Sequence, residues 1–168
     1  TRVASITQTG GASLTIAYDS NNFVSSITQT MASGVTNTTS YAYDTVARTA
    51  RVTDNLGQST VLTYDGSQRL KQITLPEGTI TKFTYDNVGN RLTQVLKGTL
   101  GSSTTQYRYD NADQLTQTST TSGSSSRTTD FDYDKEGNLT RAGNTSFGYN
   151  LDHTMKSADD CAPRCDSR

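Results

Sequence analysis

Apolar positions along this chain come in pairs with a spacing of two. Ile16, Tyr41, Leu62, Phe83, Tyr107, Phe131 and Phe147 each stand two residues before a tyrosine: Tyr18, Tyr43, Tyr64, Tyr85, Tyr109, Tyr133 and Tyr149. A spacing of two is the period of a strand, whereas a helix would put those residues about 200° apart. Short runs of turn-formers follow each tyrosine: SNN, GSQ, NVGN, NAD, KEG and LDH. Asn, Asp and Gly tolerate positive φ and close tight turns. Six or seven residues past the tyrosine an apolar residue returns (Val24, Leu70, Leu92, Leu115, Leu139 or Met155) and opens a second strand. The pattern predicts a string of β-hairpins, about fourteen strands in seven repeats, with no helix.

Six of the seven tyrosines are followed by aspartate: Tyr18-Asp19, Tyr43-Asp44, Tyr64-Asp65, Tyr85-Asp86, Tyr109-Asp110 and Tyr133-Asp134; Tyr149-Asn150 is a degraded copy. The steps between tyrosines are 25, 21, 21, 24, 24 and 16 residues. A period in the low twenties marks a repeat architecture, in which one unit cannot bury its apolar side alone. The repeats are expected over residues 1–158, with 159–168 as a tail outside their design. The tyrosines and aspartates of the repeats are read as structural positions. The aromatic column is expected to form the packed face, with Phe83 at its centre.

Composition supports strands. Nearly a third of the residues are Ser or Thr, with Thr the commoner, and Thr favours strands. Only 31% of the chain is hydrophobic, a level that suits disordered segments, but those lack regular aromatic columns. The net charge of −1 and pI near 5.7 make no electrostatic case for nucleic acid or an anionic membrane. No run is long and apolar enough for a membrane span or signal peptide.

The segments VTDNLGQSTVLTYDGSQRL, LPEGTITKFTYDNVGNRLTQV and YRYDNADQLTQT resemble the YD repeats of the RHS/YD-repeat family, which includes bacterial polymorphic toxins, insecticidal toxin-complex shell proteins and the animal teneurins. Both halves of the motif are present, including Asp54, Gly57 and Thr60. The resemblance covers about residues 1–158. It implies an all-β fold of tandem antiparallel hairpins in a long, curled sheet, part of a shell or open barrel, which in toxins encloses a C-terminal effector. The Asp-Pro-x-Gly-Leu type closing motif of family toxins is not matched, so the chain reads as a shell fragment or a small relative. The resemblance also implies a bacterial, secreted or cell-surface protein.

Chemistry has few candidates. His153, the single histidine, sits beside Asp152 in the last turn, and no G-x-S-x-G elbow is present. Asp130, Asp132 and Asp134 begin like a calcium loop, but the glycine comes late and Arg141 stands where the bidentate glutamate belongs. They form a weak candidate at best, and no metal, cofactor or catalytic residue is assigned. Cys161 and Cys165 are too few for structural zinc and could pair as a small disulfide loop after export or stay free thiols in the cytosol. Three function classes stand side by side: a structural shell enclosing or displaying an effector, a glycan- or protein-binding adhesion module, and a hydrolase with its site on the concave face. The first is preferred. An open strip of this width is expected to associate with a second copy or another shell segment, because its edges and apolar face are unpaired.

Overall fold

The computed structural model describes residues 4–7, 10–46 and 48–160. They form fifteen strands and no helix: β1 (Ser5–Thr7), β2 (Ser13–Tyr18), β3 (Val24–Thr30), β4 (Thr36–Tyr43), β5 (Thr49–Thr53), β6 (Ser59–Tyr64), β7 (Leu70–Thr74), β8 (Ile80–Tyr85), β9 (Arg91–Gly98), β10 (Gly101–Tyr109), β11 (Leu115–Ser122), β12 (Ser125–Tyr133), β13 (Leu139–Ala142), β14 (Thr145–Tyr149) and β15 (Met155–Asp160). Two compact units divide within β8, the first spanning residues 1–81 and the second 82–168. In the first, β1 to β7 pair antiparallel in chain order. In the second, β9 to β15 do the same. The predicted hairpins are present, with β1 as one strand beyond the expected fourteen. β15 runs to Asp160, two residues past the expected end of the repeats; Cys161 and Cys165 lie outside the described residues.

Six of the seven strands that end in a repeat tyrosine meet their return strands with the same irregularity. Tyr64 faces Leu70 while Thr63 faces Gln72, so Lys71 is an extra residue on the return side. The same shift occurs at Tyr18, Tyr43, Tyr109, Tyr133 and Tyr149. Such a bulge bends the strand and increases its local twist. The turn sets the spacing of the apolar residues: Asp65 faces Arg69, so Tyr64 faces Leu70 six positions on, and the bulge lies one step further from the turn. Beyond the bulge the apolar rows continue as Ile16 facing Ile27, Tyr41 facing Val52 and Leu62 facing Ile73 in the first unit. In the second unit Tyr107 faces Thr118, Phe131 faces Ala142 and Phe147 faces Ala158.

A fully packed aromatic core is not what forms. No described residue is buried, and Phe83, like the repeat tyrosines, is only half-buried. The leucine of the fourth repeat also differs from expectation. Leu92 is 39% exposed and Arg91 takes the position six residues after Tyr85, because the leucine arrives one residue late.

Candidate functional site: the tyrosine and aspartate ladder

Each repeat aspartate closes the turn that follows it. In the third repeat, the Asp65 N–H donates to the Arg69 carbonyl (2.9 Å) and the Gln68 N–H donates back to the Asp65 carbonyl (3.0 Å). The side chain adds a second layer: Asp65 Oδ1 accepts from the N–H groups of Ser67 and Arg69, both at 2.9 Å. Asp19, Asp44, Asp110 and Asp134 accept at Oδ1 from the residues two and four places on in the same way, and Asp86 accepts from three successive N–H groups. The residue four places after the tyrosine adopts positive φ: Asn22 (70°), Gln68 (65°), Gly89 (110°), Asp113 (60°), Gly137 (86°) and His153 (61°). This is a type I turn followed by a left-handed residue, a common three-residue hairpin closure. Asp54, in the turn between β5 and β6, accepts from Leu56 and Gln58 in an identical manner without any tyrosine before it.

These hydrogen bonds set the charge state. The Arg48 N–H, followed by the Arg48 side chain, holds the Asp44 carboxyl below its ordinary value, against a desolvation effect that pushes it up. The Arg69 N–H and side chain do the same for Asp65. For Asp86 desolvation is the largest influence and raises the value, yet the N–H groups of Asn90, Gly89 and Val88 together with the Asn90 side chain outweigh it and the net shift is downward. The Asn138 amide is the main cause of the lowering at Asp134. Asp44, Asp65, Asp86 and Asp134 are thus biased towards the ionised acceptor form that their turns use.

The tyrosines link one repeat to the one before it. Tyr43 donates to the Val24 carbonyl (2.8 Å), Tyr64 to Thr49 (2.9 Å), Tyr109 to Arg91 (3.1 Å) and Tyr133 to Leu115 (3.1 Å). Every acceptor lies six residues after the preceding repeat's tyrosine, and Val24, Thr49 and Leu115 face that tyrosine directly. The ring is covered by the side chain just upstream: Phe23 packs on Tyr43 with centroids 5.1 Å apart, and the Arg48 guanidinium lies 4.5 Å over Tyr64. Arg48 and Arg69 also pair through Nε with Asp44 (2.7 Å) and Asp65 (2.8 Å). Neither the carbonyl acceptors nor these arginine contacts were foreseen from sequence, although the fixed offset of six was the available signal.

The shortened seventh repeat breaks the ladder. Tyr149 follows Tyr133 by 16 residues, and its hydroxyl has no hydrogen-bond partner among the described residues. A groove of about 640 Å³ lies here, lined by Asp134, Asn138, Phe147, Tyr149, His153 and Lys156 among others. His153 Nδ1 is 3.1 Å from the Asn138 amide nitrogen, with no nucleophile activated beside it. The three aspartates of the calcium candidate do not converge. Asp130 accepts from the Gln117 side chain (2.7 Å), Asp132 pairs with Arg141 (2.6 Å), and Asp134 closes its turn. Among the described residues no group of three or more His, Cys, Asp or Glu is arranged to hold a metal ion.

Comparison with known proteins agrees with this architecture. The RHS Repeat family model matches residues 48–80 and 64–101. Among curated proteins none matches the chain. Solved structures do. The TcdB2-TccC3-TEV crystal structure aligns with a TM-score of 0.55 at 14% identity, over 99% of this chain and 12% of that one. A Photorhabdus luminescens Tc holotoxin pore aligns with a TM-score of 0.56 at 12% identity, again over 99% and 12%. TcdB2-TccC3 without its hypervariable C-terminal region gives 0.50 at 14% identity, over 95% and 12%. The chain therefore spans about an eighth of the length of these structures, and at such identities the likeness is one of fold.

Proposed function

We propose that the chain, which matches the RHS Repeat family model over residues 48–80 and 64–101, is a length of structural wall, a shell segment whose work is to enclose or display another polypeptide. The observation that carries this reading is the absence of any buried residue among those described. Globular enzymes fix their reacting groups against a packed interior, and ligand pockets are largely enclosed. Here the turns are closed by aspartates, the repeats are tied by tyrosines, and the rings stay half-exposed along one face. Such a sheet is complete only when something lies against it: a second copy, a neighbouring shell segment or an effector.

Light scattering on a size-exclusion peak at micromolar concentration, with a hydrophobic dye added in parallel, tests the reading. Association beyond the 18.2 kDa chain, or dye binding that a covering polypeptide suppresses, is the expected result. A monomer at that mass which binds no dye overturns it, since its apolar face would then need no cover.

A further inference from the structure

A strand that carries a repeat tyrosine parts from the preceding return strand before it reaches that tyrosine. β4 stays paired to β3 as far as Ser40 with Ser26, and β6 to β5 as far as Val61 with Arg51. The tyrosine hydroxyl then crosses the gap, Tyr43 to the Val24 carbonyl and Tyr64 to that of Thr49. β14 leaves β13 in the same way, after Ser146 with Arg141. The carbonyl in the matching place is that of Leu139, six residues after Tyr133, but the Tyr149 hydroxyl does not take it. That hydroxyl has no partner among the described residues, and it is not one of the buried unpartnered atoms, so it stays open to solvent. Here the uncrossed gap is a groove of about 640 Å³.

The lining combines rings with polar groups of both kinds. Phe147 and Tyr149, two residues apart on β14, supply half-buried rings. Asn138 gives its amide N–H groups to Asp134 Oδ2 (2.8 Å) and His153 Nδ1 (3.1 Å), and Asn150 gives one to Thr154. Their amide oxygens remain as acceptors. Lys156, the extra residue of the bulge opposite Tyr149, adds a donor, and the Tyr149 hydroxyl both donates and accepts. Asp134 and Glu136 oppose an anion here, while the Lys156 ammonium opposes a cation. An apolar ligand would strip water from the hydroxyl, the amides and the charges without replacing their hydrogen bonds. A neutral ligand with an apolar face and several hydroxyls meets every part of the lining. A sugar ring is such a ligand: its C–H face packs on an aromatic ring while its hydroxyls donate and accept. The volume falls within the about 300–1,000 Å³ of small-molecule sites, room for a mono- or disaccharide.

We propose that the groove between β13 and β14 is a saccharide site, in which the Tyr149 hydroxyl bonds the sugar in place of the Leu139 carbonyl. No residue of its lining is buried, so it holds its ligand weakly, at millimolar concentration, without the packed interior that a catalytic site needs. The proposal does not rest on the shell reading, since the groove is the same whether or not the wall encloses anything.

The ¹⁵N-labelled full chain, titrated with methyl β-D-glucopyranoside, methyl β-D-galactopyranoside, methyl α-D-mannopyranoside and N-acetyl-D-glucosamine, reads the contact. The side-chain amide signals of Asn138 and Asn150 are expected to shift saturably with at least one of these at millimolar concentration. Those of Asn37 and Asn55, in the first unit, are expected to stay still. Inorganic phosphate, tetramethylammonium and N-acetyl-dialanine amide are expected to give no saturable shift. Tyr149→Phe keeps the ring and is expected to weaken binding about two- to tenfold, the worth of one hydrogen bond. Tyr133→Phe, whose hydroxyl is taken by the Leu115 carbonyl, is expected to leave binding unchanged. No saturable shift with any of the sugars overturns the proposal, as does binding that Tyr149→Phe leaves intact. Equal saturation by phosphate, tetramethylammonium or the dialanine amide overturns the assignment to a saccharide.

Discussion

Removing one tyrosine hydroxyl at a time tests whether the ladder between repeats stabilises the fold. Tyr109→Phe deletes the donor to the Arg91 carbonyl at 3.1 Å, and Tyr133→Phe deletes that to Leu115 at the same distance. Both rings remain, so apolar contacts are conserved and the change isolates the hydrogen bond. A net hydrogen bond contributes about 0.5–1.5 kcal/mol, and these are half-exposed, so water can replace part of each; about 1 kcal/mol apiece follows. For a chain of this size that lowers the thermal midpoint by about 2–4 °C. The acceptors lie on different strands, so the double variant should lose about 2 kcal/mol, additive to within about 0.5 kcal/mol. Urea unfolding followed by circular dichroism gives the numbers, provided the slope of the transition is unchanged. Tyr149→Phe is the control: its hydroxyl has no partner among the described residues, and no loss is expected. Should Tyr109→Phe and Tyr133→Phe match the wild type, or should Tyr149→Phe cost as much as they do, the ladder is not what holds adjacent repeats together.

Three other perturbations probe the remaining elements. Phe83→Ala is expected to cost about 1.5–2.5 kcal/mol in the same assay, roughly half the figure for a fully buried ring; a cost near zero would show that the ring row contributes nothing. Gln68→Gly should raise stability by about 0.5–1 kcal/mol, because Gln68 holds φ at 65° and a left-handed conformation costs an L-residue about 1–2 kcal/mol, less the backbone entropy of the added glycine; a lower urea midpoint would contradict the strain. Acid should weaken the fold, since the folded-state values of Asp44 and Asp65 are depressed. Their contribution is fully present above the unfolded value of about 3.9 and is lost as pH falls below it through the folded values, so urea midpoints at pH 7 and 5 should agree while those below about pH 4 fall; a midpoint already falling between pH 7 and 5 would point to other groups.

The hairpins were legible because the signal was periodic and local. A pair two residues apart before each turn fixes a strand, and Asn, Asp or Gly after it fixes the turn. What the tyrosine hydroxyls bond to was not legible, because the acceptor is a backbone carbonyl and a carbonyl has no letter in the sequence. The degree of burial was misread for a related reason. A column of aromatic residues in a repeat suggests a packed interior, but the pattern says which residues share a face and nothing about what covers it. Leu92 differs because an apolar residue six or seven places after the tyrosine was read as equivalent, whereas in the first three repeats it is the sixth residue that faces the tyrosine. The aspartate triplet failed through alternation and turn chemistry: Gln117 and Arg141 take up Asp130 and Asp132, while Asp134 belongs to the hairpin end.

A sheet with no buried residue among those described must find its stability close to home. Each hairpin is closed by hydrogen bonds spanning four residues or fewer, and Tyr43, Tyr64, Tyr109 and Tyr133 reach only to the repeat before, 15 to 19 residues back. Stability in such an array is close to a sum of unit terms and nearest-neighbour terms. A defect in one repeat is then felt by its neighbour and hardly beyond. That tolerance accounts for copies as different as the seventh, which is short and has lost its hydroxyl bond, and the fourth, which carries an arginine where an apolar side chain belongs. In a single packed core either departure would leave a cavity or a buried charge. In the fourth repeat the cost is only a half-exposed cation between two rings.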